Sequence, residues 1–372
     1  MKESAASSIV SPISNLSLRE TEDLKNLSVS QRYKYIKDLV ITHPKMDEIL
    51  NAVSECHRNS LSGIEPECMS IFGPTRVGKS TIAKQYLNRN RSYNTNRNIG
   101  TGPNEVLMPA SVTCIPVLYT VVECPAAIGG VVSSMLEGLG HPMSSMRMSI
   151  HDKTAQLKIL IQNCGVELII LDEVQHFVDR EKKKLLLESS DWLKTLIINL
   201  NIPIILMGTL EAEKIFTNQQ LNGRFLNRYN LLPFNYDNET ERTDFRMLLQ
   251  IIDDNLPLLE ESSLGDTEMY KPIYLATGGR IALVMELIKR STLLALNNNL
   301  EAITAEIMSA IYKKHLYRLG YCQGNPFDPT YDIEGALDRI NWETYITDLY
   351  DNQTNNRSKR KKENQPYGFL SQ

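Results

Sequence analysis

The chain has 372 residues, 42% of them hydrophobic and 23% charged, which is enough apolar material for a sizeable core and enough length for two domains. A formal net charge of -4 excludes a uniformly basic nucleic-acid coat while leaving room for a local basic groove. The six cysteines (Cys56, Cys68, Cys114, Cys124, Cys164, Cys322) form no CxxC pair and no repeated spacing, which points away from a zinc site or disulfide framework and towards a reducing compartment.

In chain order, residues 1–28 are Ser-rich, weakly patterned and without the apolar core of a signal peptide, so they read as a flexible arm. No apolar run reaches the roughly 18 residues of a membrane span, and the expected setting is the cytoplasm, with no membrane partner. From Val29 to Arg58, apolar residues at Tyr33, Ile36, Leu39, Val40 and then Met46, Ile49, Leu50, Val53 predict two amphipathic helices broken at His43-Pro44. Short apolar runs of buried-strand type follow at Met69–Phe72, Thr113–Val122, Leu168–Leu171 and Ile202–Met207. Helical patterns lie between them, around 81–87, 127–139, 154–163 and 189–199. This alternation predicts an α/β fold, a parallel sheet with helices on both faces. After Pro233 only helical patterns continue, around 239–253, 280–297 and 304–319. The expected organisation is therefore an arm over 1–28, an α/β domain with its helical lead-in over 29–234, a helical lid over 235–319, and a C-terminal extension with a basic and aromatic tail over 320–372. The Asn- and Arg-rich stretch 88–109, with Arg89, Arg91 and Arg97, reads as an exposed insertion.

Chemistry concentrates in two places. Gly73-Pro74-Thr75-Arg76-Val77-Gly78-Lys79-Ser80, followed by Thr81, matches G-x-x-x-x-G-K-[ST] between a strand and a helix. Its glycines allow backbone N–H groups to surround phosphates at a helix N-terminus. Lys79 would neutralise the terminal phosphates of ATP, and Ser80 would ligate Mg2+. The apolar strand Leu168–Leu171 ends in Asp172-Glu173, whose side chains alternate in direction. Asp172 suits the magnesium shell, and Glu173 suits the work of orienting and deprotonating water. His176 has no partner at ligand spacing and reads as structural or solvent-facing.

The phosphate loop, LIILDEVQHF at 168–177, IPIILMGTLEA at 202–212 and QLNGRF at 220–225 together resemble the TniB/TnsC family of AAA+ ATPases that regulate DNA transposition. The resemblance spans roughly Val29 to Leu319. It implies an AAA+ P-loop fold with a helical lid, and Mg-dependent ATP hydrolysis. It places Thr209 at the sensor that reports the γ-phosphate, and Arg224 as the finger reaching a neighbouring subunit's ATP, with Arg228 as the alternative. Arg280, after Gly278-Gly279, falls at the lid-side nucleotide sensor. Relatives hold duplex DNA without sequence preference inside a head-to-tail ring or helical filament. The corresponding loops here are 125–130 and 142–153, the second offering Ser144, Ser145, Arg147 and Lys153 to phosphates. Transposase subunits and a TniQ-like target-selection protein are the further partners implied, and the tail, basic at 357–362 and then PYGFL at 366–370, offers anchors for one of them.

Two other classes compete. A nucleotide-gated signalling switch would carry a long repeat array after the lid, and a helicase-loading or replication ATPase would carry a winged helix there. Residues 320–372 read as too short and irregular for either.

Overall fold

The computed structural model describes residues 23–60, 66–99, 108–141, 148–178 and 183–355. They fall into two compact units: Glu48–Leu231, and the residues up to Asp47 together with those from Leu232 onward.

The chain enters through a single turn, α1 (Asp23–Asn26), and α2 (Val29–Asp38). Ser28 and Gln31 start α2 with a reciprocal capping box, the Ser28 hydroxyl accepting from Gln31 N–H at 3.3 Å and the Gln31 amide oxygen accepting from Ser28 N–H at 2.9 Å. After the break at 39–43, Pro44 opens α3 (Pro44–Ser60), a position where its missing N–H is harmless.

The Glu48–Leu231 unit is built on a five-stranded sheet in the order β4-β5-β6-β1-β7, with every pair parallel. In chain order its elements are β1 (Met69–Phe72), α4 (Lys79–Arg89), β2 (Tyr93–Ile99), β3 (Met108–Cys114), β4 (Val117–Val121), α5 (Ile128–Gly138), α6 (Ile150–Cys164), β5 (Leu168–Asp172), α7 (Lys183–Leu200), β6 (Ile204–Gly208), α8 (Gln219–Asn222) and β7 (Asn227–Asn230). Strands β1, β5 and β6 are buried at every residue, as continuous apolar runs in the middle of a parallel sheet require. Asn227–Asn230 is polar and mostly exposed, the composition of an edge.

The insertion is where the structure departs most from the sequence reading. Residues 93–99 and 108–114 pair antiparallel, Tyr93 opposite Cys114 through Ile99 opposite Met108, as a sheet of their own. A polar, unpatterned stretch becomes a hairpin because its strands satisfy each other's backbone, and Thr113 adds a bond to Asn94 Oδ1 at 3.0 Å. The single strand expected over 113–122 is accordingly two, β3 and β4, parted at Ile115-Pro116. There Ile115 N–H donates to Cys164 O at 2.8 Å, and Pro116 O accepts Glu167 N–H at 2.8 Å.

The other unit is helical: α9 (Glu239–Asp254), α10 (Thr267–Thr277), α11 (Ile281–Asn297), α12 (Ala305–Ile311) continuing through a π turn and a 3-10 turn to Leu319, α13 (Ile333–Asp338) and α14 (Trp342–Asn355). α2 belongs to this unit and not with the sheet. Arg32 Nη1 meets both Glu301 carboxylate oxygens at 3.0 and 2.7 Å, and Lys289 Nζ donates to Lys37 O and Leu39 O. Three of these helices escaped the sequence reading. α10 contains Pro272, which reads as a helix breaker, yet the helix is held by burial of Met269, Tyr270, Ile273 and Tyr274. α13 and α14 lie in what read as an irregular extension, and Asp332 and Asn341 start them by accepting the N–H groups of Gly335 and Thr344 at 2.9 and 2.8 Å. Among the described residues no helix is long and apolar enough to cross a membrane.

Candidate functional site

The loop after β1 is shaped by close backbone approach. Phe72 O accepts Leu231 N–H at 2.7 Å, and Gly73 N–H donates to Gly208 O at 3.1 Å, so the chain leaves the sheet pinned to both neighbouring strands. A Cβ on Gly73 would lie 2.1 Å from Leu231 O, backbone that cannot swing aside. Gly73→Ala should therefore destabilise the fold by at least the ~1–3 kcal/mol typical of overpacking, read as a lower midpoint in denaturant unfolding. An unchanged midpoint would show that the strands yield.

Arg76 (φ 67°) and Gly78 (φ 109°) bend the loop back, and α4 begins at Lys79 with no side-chain cap. The first N–H groups of the helix and the positive end of its dipole are thereby left for an anion. Pro74 and Val77 are buried and anchor the loop, whereas Thr75, Arg76 and Ser80 are exposed on it. Thr81 continues the first turn, donating to Gly78 O at 2.9 Å. Lys79 is 8% exposed and curls into the loop, its Nζ donating to Gly73 O at 2.7 Å and to Pro74 O at 2.8 Å. The result is an ammonium held inside a cradle of backbone, suited to phosphate oxygens.

Asp172 ends β5 at 2% exposure. Its Oδ2 accepts Tyr119 OH at 2.8 Å and Ser80 Oγ at 3.4 Å, and its Oδ1 accepts Glu173 N–H at 2.8 Å. The Ser80 hydroxyl and Asp172 carboxylate form the hard-oxygen pair that Mg2+ prefers, and the residues fit that ion. Tyr119, on the neighbouring strand, was not singled out by sequence. Burial first, then the Asp172 charge, pushes its phenol up, so it remains a donor to Asp172.

Glu173 takes the left-handed conformation (φ 60°, ψ 32°), which costs a non-glycine residue on the order of 1–2 kcal/mol. Its Oε2 accepts Nε2 of Gln175, whose Oε1 accepts Thr209 N–H at 3.0 Å. Thr209 follows β6 directly and opens the 3-10 turn Leu210–Thr217. The loop 73–80, Asp172, Glu173 and Thr209 thus share the C-terminal edge of one sheet, where open α/β sheets bind ligands.

The remaining candidates lie elsewhere. Arg224 O accepts Cys68 N–H at 3.2 Å, which sets Arg224 at the N-terminal end of β1, the opposite edge from the phosphate loop. Arg228 is tied within its own chain: it stacks over Phe216 with its guanidinium carbon 4.2 Å from the ring centroid, and it donates to Phe225 O at 2.8 Å and to Asn222 Oδ1. Arg280, 5% exposed, donates from Nε to Tyr345 OH at 3.1 Å and stacks over Tyr321 within the helical unit. Lys153 is half-buried, with Nζ donating to Ser133 Oγ at 2.7 Å. α5 and α6 begin close together, since a Cβ on Gly129 would meet Ile150 at 3.4 Å. Ser144, Ser145 and Arg147 lie outside the described residues, as does the tail 357–370. Among the described residues no group of three or more His, Cys, Asp or Glu is placed to hold a metal ion.

The chain matches the family described as "Bacterial TniB protein" over residues 32–233. No curated protein matches it in sequence. Among solved structures it is similar to the ORC2 protein of Aeropyrum pernix in ADPNP–ADP complexes, at TM-score 0.53 and 14% identity over 75% of this chain and 71% of that one. It is also similar to Cdc6p of Pyrobaculum aerophilum (TM-score 0.52, 14% identity, 75% and 69%) and to the ORC1 protein of Aeropyrum pernix in complex with DNA (TM-score 0.51, 14% identity, 75% and 67%). At that identity the likeness shows the fold, which is that of an AAA+ P-loop ATPase with a helical C-terminal region.

Proposed function

The chain belongs to the TniB family, and on that premise we propose that it is an ATP-dependent regulator of DNA transposition that assembles on duplex DNA and uses hydrolysis to reset the assembly. The observation that carries this reading is the division of the nucleotide chemistry between two sheet edges. Lys79, Ser80, Asp172, Glu173 and Thr209 stand at one edge, and Arg224 stands beyond the far end of β1. Four residues of strand at ~3.3 Å each separate them. An arginine whose backbone lies at that edge would offer its guanidinium to another copy's ATP, and a complete site would then need two chains meeting head to tail.

Within one chain the residues divide the work. Lys79 and the N–H groups opening α4 would hold the β- and γ-phosphates, Ser80 and Asp172 would hold Mg2+, which would supply charge neutralisation there, and Glu173 would take a proton from the attacking water. Thr209 senses the γ-phosphate from the end of β6, and Arg280 is assigned the lid-side sensing role. DNA phosphates would meet the paired starts of α5 and α6, where Lys153 would exchange Ser133 for phosphate, with Ser144, Ser145 and Arg147 earlier in the chain as further candidates. One neighbour of the same fold was solved with DNA. In this reading the assembly links a TniQ-like target-selection protein to the transposase.

The test is duplex DNA binding by the full chain with ATP, with ADP and without nucleotide, followed by electron microscopy. The expected result is regular rings or filaments with ATP only, on any sequence, weakening steeply with salt. Indifference to DNA in every state would instead support the signalling-switch class.

A further inference from the structure

Gln175 lies two residues beyond Glu173, on the 3-10 turn Val174–Phe177, and its amide bridges two parts of the site. Nε2 donates to Glu173 Oε2, and Oε1 accepts Thr209 N–H at 3.0 Å. The orientation of that amide is fixed by chemistry. A backbone N–H can only donate, so the atom facing Thr209 is oxygen, and the NH2 end is left for the carboxylate. The neighbouring strand makes room for it, because a Cβ on Gly208 would lie 2.6 Å from Gln175 Oε1. A glycine thus ends a strand whose other residues are Ile, Ile, Leu and Met.

We propose that Gln175 is the positioning residue for Glu173, coupling the carboxylate to the end of β6. The chain of contacts is continuous: Gly73 N–H to Gly208 O at 3.1 Å, Thr209 N–H to Gln175 Oε1, and Gln175 Nε2 to Glu173 Oε2. A displacement of the phosphate loop or of Thr209 when the γ-phosphate arrives reaches Glu173 through one amide. The left-handed backbone at Glu173 leaves the side chain without a regular element to fix it, and the amide supplies the second point of attachment. The inference rests on Glu173 being the base that activates water, and it assigns Gln175 no contact with the nucleotide.

The experiment is a double-mutant cycle on ATP turnover by the full chain, combining Gln175→Met with Glu173→Gln. Methionine keeps the length and volume of the side chain and removes both hydrogen bonds. Alone, Gln175→Met should lower kcat by about 10- to 100-fold, the scale expected when a reacting group is misplaced by about 1 Å, with KM and nucleotide Kd within about twofold of wild type. In the Glu173→Gln background, where single-turnover hydrolysis is followed with labelled ATP, the same change should alter the rate by less than about twofold. Gln175→Glu keeps the shape but sets a second carboxylate against Glu173 in place of the donor, and should lower kcat at least as far as Gln175→Met does. Equal losses in both backgrounds would mean that Gln175 only supports the fold, and an unchanged kcat for both Gln175 variants would also overturn the inference. Equal turnover by wild type and Glu173→Gln overturns the hydrolysis reading and this inference with it. Glu173-dependent turnover indifferent to Gln175 overturns this inference alone.

Discussion

Glu173→Gln should leave ATP bound with near wild-type affinity while lowering turnover by about 10²- to 10⁴-fold, the range a positioned general base contributes. The substitution preserves volume and removes only the basic oxygen. Glu173 does not hold the loop: the cradle is made by Lys79, Gly73 and Pro74, and the hard-oxygen pair by Ser80 and Asp172. Binding and turnover should therefore separate. The measurement is phosphate release beside equilibrium binding of a fluorescent ATP analogue. Parallel loss of both would mean that Glu173 shapes the pocket, and undiminished turnover would remove it from the chemistry. If hydrolysis resets the assembly, the same variant should hold its ATP-bound form on DNA for longer than wild type.

Lys79→Ala should act at the earlier step. Truncating a buried, hydrogen-bonded charge partner costs about 2–5 kcal/mol, which at 1.4 kcal/mol per tenfold is roughly a 30-fold to more than 10³-fold loss of nucleotide affinity. A direct readout is the melting temperature with and without ATP. Saturating ligand at about 100 times its Kd stabilises the wild type by about 2.7 kcal/mol, and the variant should gain no more than about 0.9 kcal/mol at the same concentration. Without nucleotide the effect should be smaller, because Lys79 then stabilises the loop by bonding to Gly73 O and Pro74 O and no phosphate contact is lost. A variant whose melting point rises with ATP as the wild type's does would show that backbone N–H groups alone hold the phosphates.

These residues were legible in the sequence because each is constrained twice. Gly73 must lack a side chain under Leu231 and must also begin a phosphate turn, and Asp172 must end a buried strand and carry charge. Such double demands leave a pattern. The bridge through Gln175 and the phenol of Tyr119 left none, since each acts through a few hydrogen bonds and any residue reading as turn or strand would have looked the same. Gly208 was the available clue, a residue of low strand propensity closing a buried apolar strand.

At the level of fold, the buried strands were found nearly to the residue, because a strand covered on both faces must be apolar throughout. The paired strands 93–99 and 108–114 and helix α10 were missed for opposite reasons. The hairpin is held by its own backbone pairing and needs no apolar stripe, whereas α10 buries a stripe around Pro272 that local propensity reads as a break. The lead-in helix α2 illustrates a third case. Its amphipathic period was plain, but nothing in the period says which core the apolar face meets, and it joins the helical unit through Arg32–Glu301 and Lys289.

In the proposed head-to-tail assembly, the separation of the Arg224 backbone from Lys79 by the length of β1 would also give the row a direction. A member that receives an arginine at one face and offers one at the other adds to a growing row in only one orientation, and the row has two unlike ends. At one end the last member would hold nucleotide with no arginine supplied to it, and it would hydrolyse more slowly than its neighbours. Such a terminus is a chemical cap, and the age of a row would be written as a gradient from spent interior to fresh end.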